Sequence, residues 1–333
     1  MPDRAVLIPL DLDPAMPPPG SRVHTFAGAS MGTTWSARVA MSRSDDLRPA
    51  LQAELDAVVA QMSHWDSGSL LSRYNRAPAG TWIALPAQFF DVMDYALWAM
   101  EASGGAYDPA AGALVDLWGF GPARRHDHAG FYAPDAQAVA RAQAQRARAR
   151  VELDRERRRL LQPGGAVLDL SSIAKGHAVD RLALCLESSG LHHYVVEVGG
   201  ELRGAGVKPD GQPWWIEIEG VPDAAAAQAV VALHGLAIAT SGDYRQYFTQ
   251  GRRRVSHTLD PRTGRPIAHD VASVTVLAPT CTAADALSTV LTVLGPVDGL
   301  AFAARHALAA RFLVRRAEAL DEIRTPAWKA LLQ

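Results

Sequence analysis

The sequence has few cysteines, little net charge and no long uninterrupted apolar run. Its two cysteines, Cys185 and Cys281, lie far apart, which excludes a dense disulfide scaffold and the C-x-x-C spacing of a zinc or redox site. A formal net charge of −2 gives no basic field for binding nucleic acid or an anionic membrane surface. Because the apolar runs are interrupted, we expect no membrane insertion.

The first 22 residues are rich in proline and predict an extended arm, with folding beginning after it. This segment lacks the basic start and continuous apolar stretch of a secretory signal, and it has no cysteine for lipid attachment. We therefore expect a cytoplasmic protein, with a periplasmic location open if the natural N-terminus is missing. The chain is 48% hydrophobic and 20% charged, a composition typical of a folded globular protein.

After the arm, helical and strand patterns follow one another irregularly. Apolar periodicity predicts helices over 47–62, 86–102, 134–146, 175–188 and 282–295. Strands are predicted over 35–41, 166–170, 194–200, 214–220, 230–242 and 272–278, with a hairpin through 151–161. Because several strands succeed each other without a helix between them, the pattern favours an α+β fold over a doubly wound sheet. The polar stretch 123–159 is expected to carry little chemistry.

The stretch LDLSSIAKGHAVDRLA, residues 168–183, brings hydroxyls, amide donors and a lysine together. Asp169 is predicted to end a strand, Ser171 lies in the turn, and Lys175 opens a helix. This arrangement suits a phosphate group. A purely structural role, in which these residues cap the start of a helix and Lys175 is solvated, explains the same pattern equally well. We interpret Asp180 as a helix-surface or helix-packing residue.

A second candidate site lies on the helix 282–295. Asp285 and Thr289 are four residues apart, hence on one helix face, and their oxygens suit Mg²⁺. On spacing alone, an acidic residue that favours the helix dipole and a threonine bonded to the backbone explain them better. His257 precedes a turn at 260–264 and could act as a base or a phosphate ligand, although a lone histidine is more often structural.

Seven motifs occur in order along the chain. They are MGTTW (31–35), DPAAGALVDLWGFG (108–121), LDLSSIAKGHAVDRLA (168–183), VEVGGELRGAGVKPDGQPWWIEIE (196–219), ATSGDYRQYF (239–248), SHTLDPRTGRPI (256–267) and SVTVLAPTCTAADALSTVLTVLG (273–295). Together they resemble the ApbE family, the FAD:protein FMN transferases, over roughly residues 24–315. The resemblance implies a T-fold-like α+β structure with largely antiparallel sheets packed with helices. It also implies two intimately packed subdomains over 23–325, with FAD and Mg²⁺ bound between them.

The resemblance implies a reaction and a set of site residues. The reaction is Mg²⁺-dependent transfer of FMN from FAD to a Ser or Thr hydroxyl of an acceptor protein, forming a phosphodiester and releasing AMP. The implied Mg²⁺ ligands are the Ala174 carbonyl, Asp285 and Thr289. The implied FAD-binding residues are Met31, Trp65, Tyr107, Asp108, Ser171, Lys175, His177, His257 and Leu259. Trp65 would stack on the ligand, Lys175 would face the pyrophosphate, Asp169 would brace the turn, and His257 is the catalytic candidate for orienting or deprotonating the hydroxyl.

Two positions depart from the family pattern, namely Ala110, where threonine is common, and His177, where an aromatic residue is usual. Two alternative functions stay open. Hydrolysis of FAD to FMN and AMP would use the same site, with water in place of the acceptor hydroxyl. A non-catalytic FAD-binding protein would need the pocket but not Asp285 and Thr289.

Overall fold

The computed structural model describes residues 5–9, 15–222, 229–251, 253–316 and 319–332. These residues form two compact units, each with its own apolar core. Unit 1 comprises Met1–Ala57, Lys175–Gly242 and Asp270–Gln333. Unit 2 comprises Val58–Ala174 and Asp243–His269.

The strands are numbered along the chain. They are β1 (Ala5–Leu7), β2 (Arg22–Ser30), β3 (Thr33–Met41), β4 (Thr81–Ala84), β5 (Glu152–Asp154), β6 (Arg159–Gln162), β7 (Tyr194–Val198), β8 (Glu201–Ala205), β9 (Trp214–Glu217), β10 (Ala229–Leu233), β11 (Leu236–Gly242), β12 (Tyr247–Gln250), β13 (Arg253–Ser256), β14 (Leu259–Asp260), β15 (Arg265–Pro266), β16 (Val271–Ala278), β17 (Ala309–Arg316) and β18 (Ala319–Arg324). The helices are α1 (Arg48–Met62), α2 (Leu70–Arg76), α3 (Ala87–Ala102), α4 (Gly112–Leu117), α5 (Ala136–Arg148), α6 (Ala174–Ser188), α7 (Cys281–Arg305) and α8 (Pro326–Ala330).

Antiparallel pairing dominates both units. Unit 1 contains an eight-stranded antiparallel sheet in the order β18-β17-β16-β11-β8-β7-β3-β2. A three-stranded sheet, β1-β10-β9, includes one parallel pair, β1 with β10. Unit 2 contains the sheet β4-β6-β5 and the two-stranded pairs β12-β13 and β14-β15. The predicted α+β class with largely antiparallel sheets is confirmed.

Helix α7 lies against β11 and β16 and supplies much of the core of unit 1. By length and composition alone it could cross a membrane, but 61% of its most apolar window is buried inside the protein, as in a core helix. The prediction ended this helix at Gly295. The regular helix does end there, because Gly295 has a non-helical φ of 73° and ψ of −175°, and a second helical segment continues from Pro296 to Arg305 beyond this kink.

Four of the five predicted helices agree with the structure to within two residues, including the helix that ends before Gly104 and Gly105, whereas the short helices α2, α4 and α8 were not predicted. The predicted strand over 166–170 is wrong. Here the backbone finds other partners, because the Leu168 amide and carbonyl both bond to the Asn75 side chain. The Asp169 amide donates to the Pro109 carbonyl at 2.8 Å. An apolar, strand-like stretch therefore remains outside any ladder.

The prediction that folding begins after residue 22 needs correction. Within the described part of the arm, Ala5–Leu7 pairs with β10, and Leu7 is fully buried in a core cluster with Trp214 and Trp328. The Ile8 amide also donates to the Leu331 carbonyl at 2.8 Å. Residues 1–4 and 10–14 of the arm lie outside the described residues. The boundaries 1–22 and 23–325 stay a prediction.

Helices α6 and α7 approach each other closely at Gly176. A Cβ atom at this position would lie 2.2 Å from the Cys281 carbonyl oxygen and 2.7 Å from the Asp285 Cβ atom. The obstructing group is backbone, which cannot swing away as a flexible side chain could. The spacing of the two helices therefore depends on the absence of a side chain at Gly176.

We predict that Gly176→Ala lowers the free energy of unfolding by about 1–3 kcal/mol, because the added methyl forces the helices apart. Urea unfolding followed by circular dichroism measures the change. Gly220→Ala is the matched control, since nothing lies within 4 Å of a Cβ atom there. A Gly176→Ala protein as stable as the control would contradict this account of the helix contact.

Candidate functional site

Two of the predicted metal residues, Asp285 and Thr289, lie on consecutive turns of α7, facing α6 and β11. Asp285 is 5% exposed, and its Oδ2 atom accepts a hydrogen bond from the Gly176 amide at 2.9 Å. Thr289 follows one turn later, with Oγ1 3.3 Å from the Ser241 hydroxyl. Ser241 also lies 2.7 Å from the hydroxyl of Ser288, a residue that the sequence analysis did not single out. Helix α7 and strand β11 thus bring one buried carboxylate together with three hydroxyl groups.

These donors suit Mg²⁺ better than a softer ion. Mg²⁺ takes oxygen ligands, is bound by one or two carboxylates together with substrate phosphates, and keeps several waters. Among the described residues, no group of three or more His, Cys, Asp and Glu could hold a metal ion, so a zinc-type cage is absent there. Ala174, the third predicted ligand, begins α6 directly before Lys175. The oxygen donors of Asp285 and Thr289 therefore fit the predicted ion.

Lys175 does not have the solvated position considered above. Its ammonium forms an ion pair with Glu201 at 2.5 Å, and the Glu201 side chain is only 2% exposed. Glu201 opens β8 immediately after the turn at Gly199 and Gly200, within a motif quoted in the sequence analysis. Sequence reasoning missed the pair because its members are 26 residues apart and meet only in the folded unit.

His177, on α6, is a buried histidine, and one of its ring nitrogens is unsatisfied within the described part of the chain. It is 8% exposed, and its Nε2 atom has no hydrogen-bond partner among the residues that the structure describes. Burial lowers the pKa of His177 to about 4, with the nearby Asp180 carboxylate acting in the opposite direction. The ring is therefore neutral at pH 7 and offers a buried nitrogen at the predicted FAD-binding position.

Met31 lies in the tight turn that joins β2 to β3. The register pairs Ser30 with Thr33, leaving Met31 and Gly32 as the two turn residues, with φ of 53° and 73°. Two positive φ values define a type I′ hairpin, in which glycine or asparagine is the ordinary choice at the first position. A methionine held in this conformation is a local strain of the kind found at binding sites.

Two further predicted residues, Tyr107 and Asp108, lie in unit 2. Tyr107 is buried and accepts a hydrogen bond from the Ser172 hydroxyl at 3.1 Å. Asp108 forms an ion pair with Arg146, which also donates to the Pro261 carbonyl at 2.8 Å. Arg146 lies in the polar stretch that was expected to carry little chemistry; its contacts here are structural, and that expectation stays a prediction. Its side chain links the DPAAG motif to the turn at 260–264.

The SSIAKG turn is braced as expected. Asp169 is 8% exposed and accepts the Ser171 amide at 2.8 Å, and the His64 Nδ1 atom lies 3.6 Å from the same carboxylate oxygen. Trp65, which follows His64 in the sequence, is 55% exposed, and the Arg125 guanidinium lies 5.8 Å from its ring centroid. The stacking role of Trp65 stays a prediction, for which the indole has an accessible surface.

His257 follows β13, and its hydrogen bond assigns the proton on its ring. The Nδ1 atom lies 2.9 Å from the Gln246 carbonyl oxygen, which can only accept a hydrogen bond. Nδ1 therefore donates, and Nε2 is the nitrogen able to accept a proton. Leu259 is buried in a cluster with Trp118 and Phe120, so it contributes to this part of the fold through packing.

A profile of the ApbE family matches residues 31–312. The chain belongs to the ApbE family. Among its relatives, the FAD:protein FMN transferase of Klebsiella pneumoniae is 35% identical over 321 residues, covering 94% of this chain and 91% of the relative. The FAD:protein FMN transferase of Vibrio cholerae is 37% identical, covering 94% of each chain. The crystal structure of the apo flavinyl transferase ApbE from Pseudomonas stutzeri superposes with a TM-score of 0.83 at 38% identity, covering 93% of this chain and 97% of that one.

The burial of His177 makes the stability of the protein depend on pH. The pKa of His177 falls from 6.5 when exposed to about 4 in the folded protein, so between these values the unfolded chain binds more protons and stability rises with pH. We predict that acidification from pH 7 to pH 4.5 costs roughly 2 kcal/mol through this group alone.

His177→Phe and His177→Gln should each remove this part of the pH dependence, since neither side chain titrates. Urea unfolding at pH 7 and pH 4.5 measures it. Variants that retain the full wild-type pH dependence would show that another group is responsible.

Proposed function

We propose that this protein transfers FMN from FAD to a Ser or Thr hydroxyl of an acceptor protein in a Mg²⁺-dependent reaction that releases AMP. The observation that carries the proposal is the buried Asp285 carboxylate, bonded to the Gly176 amide and placed one turn from Thr289. Asp285 and Thr289 lie in the last of the seven motifs that resemble the ApbE family. This arrangement supports a metal-assisted reaction at a phosphoanhydride more strongly than binding alone.

Asp285, Thr289 and the Ala174 carbonyl would hold the ion. When bound, Mg²⁺ supplies positive charge that neutralises the pyrophosphate oxygens and the charge developing on the departing AMP. Gly176 keeps one Asp285 oxygen fixed through its amide. Glu201 restrains the Lys175 ammonium, so that a single cationic group stays in place beside the start of α6.

The remaining predicted residues would bind and orient the two substrates. His177 offers a neutral, buried ring nitrogen, and Trp65 offers an exposed indole surface. His257, with Nδ1 bonded to the Gln246 carbonyl, would use Nε2 to orient the acceptor hydroxyl and receive its proton. Because the transition state of phosphoryl transfer is loose, this proton transfer contributes less than electrostatic stabilisation.

Hydrolysis of FAD is the alternative reaction at the same residues, since water can take the place of the acceptor hydroxyl. A protein that only stores FAD would not require a buried carboxylate and a hydroxyl on one helix face. The positions of Asp285 and Thr289 therefore favour turnover over storage.

The direct test incubates the protein with FAD, Mg²⁺ and an acceptor fragment carrying a Ser/Thr flavinylation motif, with the fragment mass and AMP measured in parallel. The expected result is a mass gain equal to one FMN phosphodiester, with one AMP released per modified fragment and both lost in EDTA. AMP release without a mass gain would favour hydrolysis. Neither product, with FAD bound, would favour storage.

A second prediction ranks the two polar groups. Asp285→Asn keeps an oxygen for the Gly176 amide but removes the charge, and we expect kcat/KM for flavinylation to fall on the order of 10²–10³-fold. His257→Gln should cause a smaller loss. Both variants must retain the wild-type circular dichroism spectrum. Equal losses, or a larger loss in His257→Gln, would overturn the ranking.

A further inference from the structure

Asp180 is a buried carboxylate to which no catalytic role has been given above. The sequence left open a helix-surface or a helix-packing residue, and the structure favours the second, because Asp180 is 6% exposed and faces the start of α7. Its Oδ1 atom accepts the Cys281 amide at 2.9 Å, and its Oδ2 atom accepts the amide and the hydroxyl of Thr282 at 2.8 and 2.7 Å. Arg203 from β8 balances its charge at 3.0 Å. Asp180 thus caps a helix that lies 101 residues away in the sequence.

A second carboxylate bond runs in the opposite direction between the same helices. Asp285 on α7 accepts the Gly176 amide of α6, whereas Asp180 on α6 accepts amides of α7. Gly176 and Asp180 are four residues apart, as are Cys281 and Asp285, so each pair lies on one helix face. We name these two carboxylate contacts the reciprocal clamp.

The reciprocal clamp restrains how α7 can move along or rotate against α6. A rotation of α7 that carried Asp285 away from Gly176 would also pull Cys281 and Thr282 away from Asp180. Two buried amides would then lose their acceptor. Leaving these N–H groups unsatisfied costs free energy in addition to any loss of packing. Thr280 caps α7 locally, with Oγ1 3.3 Å from the Ala283 amide, but this bond lies within one chain segment and restrains no second helix.

From this geometry we infer that Asp180 is a positioning residue for the metal site, fixing Asp285 and Thr289 against α6. The inference rests on the proposed Mg²⁺-dependent function. It goes beyond that function because Asp180 itself need not contact ion or substrate. Outer residues that orient metal ligands commonly change metal affinity by 10–100-fold when they are replaced.

The test compares Asp180→Asn with Thr280→Ala. The Cys281 and Thr282 groups donate to both carboxylate oxygens of Asp180. Asparagine replaces one of these oxygens with an NH₂ group, which cannot accept a hydrogen bond, so the contact on that side is lost. Thr280→Ala also removes a cap of α7 but leaves the reciprocal clamp intact. The probe is Mn²⁺ titrated into the FAD-saturated protein without acceptor, with the free ion measured by electron paramagnetic resonance. Quenching of flavin fluorescence gives the FAD affinity separately.

We expect Asp180→Asn to raise the Kd for Mn²⁺ about tenfold or more, with the FAD Kd changed less than about threefold. Thr280→Ala should leave the Mn²⁺ Kd within about twofold while lowering the thermal midpoint. Equal effects of the two variants on Mn²⁺ affinity, or none in a folded Asp180→Asn protein, would overturn the positioning role. If Asp180→Asn does not fold, Asp180→Glu keeps the charge that pairs with Arg203 but displaces the carboxylate by one methylene group, and an unchanged Mn²⁺ Kd there would overturn it as well.

Failure of the proposed function gives a different result. Wild-type protein that binds FAD but no Mn²⁺ would overturn the metal-dependent function together with the positioning role. Wild-type protein that binds Mn²⁺, with affinity unaffected by Asp180→Asn, would overturn the positioning role alone.

Discussion

The proposed site depends on buried carboxylates whose hydrogen bonds cross from one helix to the next. A buried charge is tolerated only when it is paired and hydrogen-bonded. Asp180 meets this condition through the first amides of α7 and Arg203, and Asp285 receives the Gly176 amide. Because α7 also packs on β11 and β16, the position of Asp285 is set by a helix pair and a sheet rather than by a loop. Sites supported in this way are held more precisely.

The small number of acidic residues in the predicted ligand set affects how much of the Mg²⁺ charge would remain for the substrate. Asp285 is the one carboxylate in the predicted ligand set, accompanied by a hydroxyl and a carbonyl. Such a set leaves most of the charge of Mg²⁺ available to the phosphates of FAD, whereas a cage of several carboxylates would neutralise it. The Lys175 ammonium is already paired with Glu201, so its charge is partly balanced before any substrate arrives. The proposed chemistry is therefore divided between the predicted metal ligands on α7 and a restrained cation on α6.

The spacing of apolar residues was sufficient to predict much of the fold. This spacing reflects which face of each helix or strand is buried, and it can be read from neighbouring residues alone. Spacing along the chain also placed Asp285 and Thr289 on one face, since four residues make about one helical turn. Contacts between distant segments were not predictable. The role of Asp180 was left open between a helix-surface and a helix-packing residue because the amide that donates to it lies 101 residues away. Residues 166–170 resembled a strand because no local signal indicates that the Asn75 side chain bonds the Leu168 backbone. The motifs of the family predicted site residues, but only the structure supplied their hydrogen-bond and ion-pair partners.

The most direct test of this account is to locate the ion. Crystals of the protein with FAD and Mn²⁺, measured near the manganese absorption edge, would reveal the metal through its anomalous scattering. The account predicts a peak within coordination distance of the Asp285 carboxylate and the Thr289 hydroxyl. A peak on the acidic residues of unit 2 instead, such as Asp108 or Asp169, with none at Asp285, would contradict it.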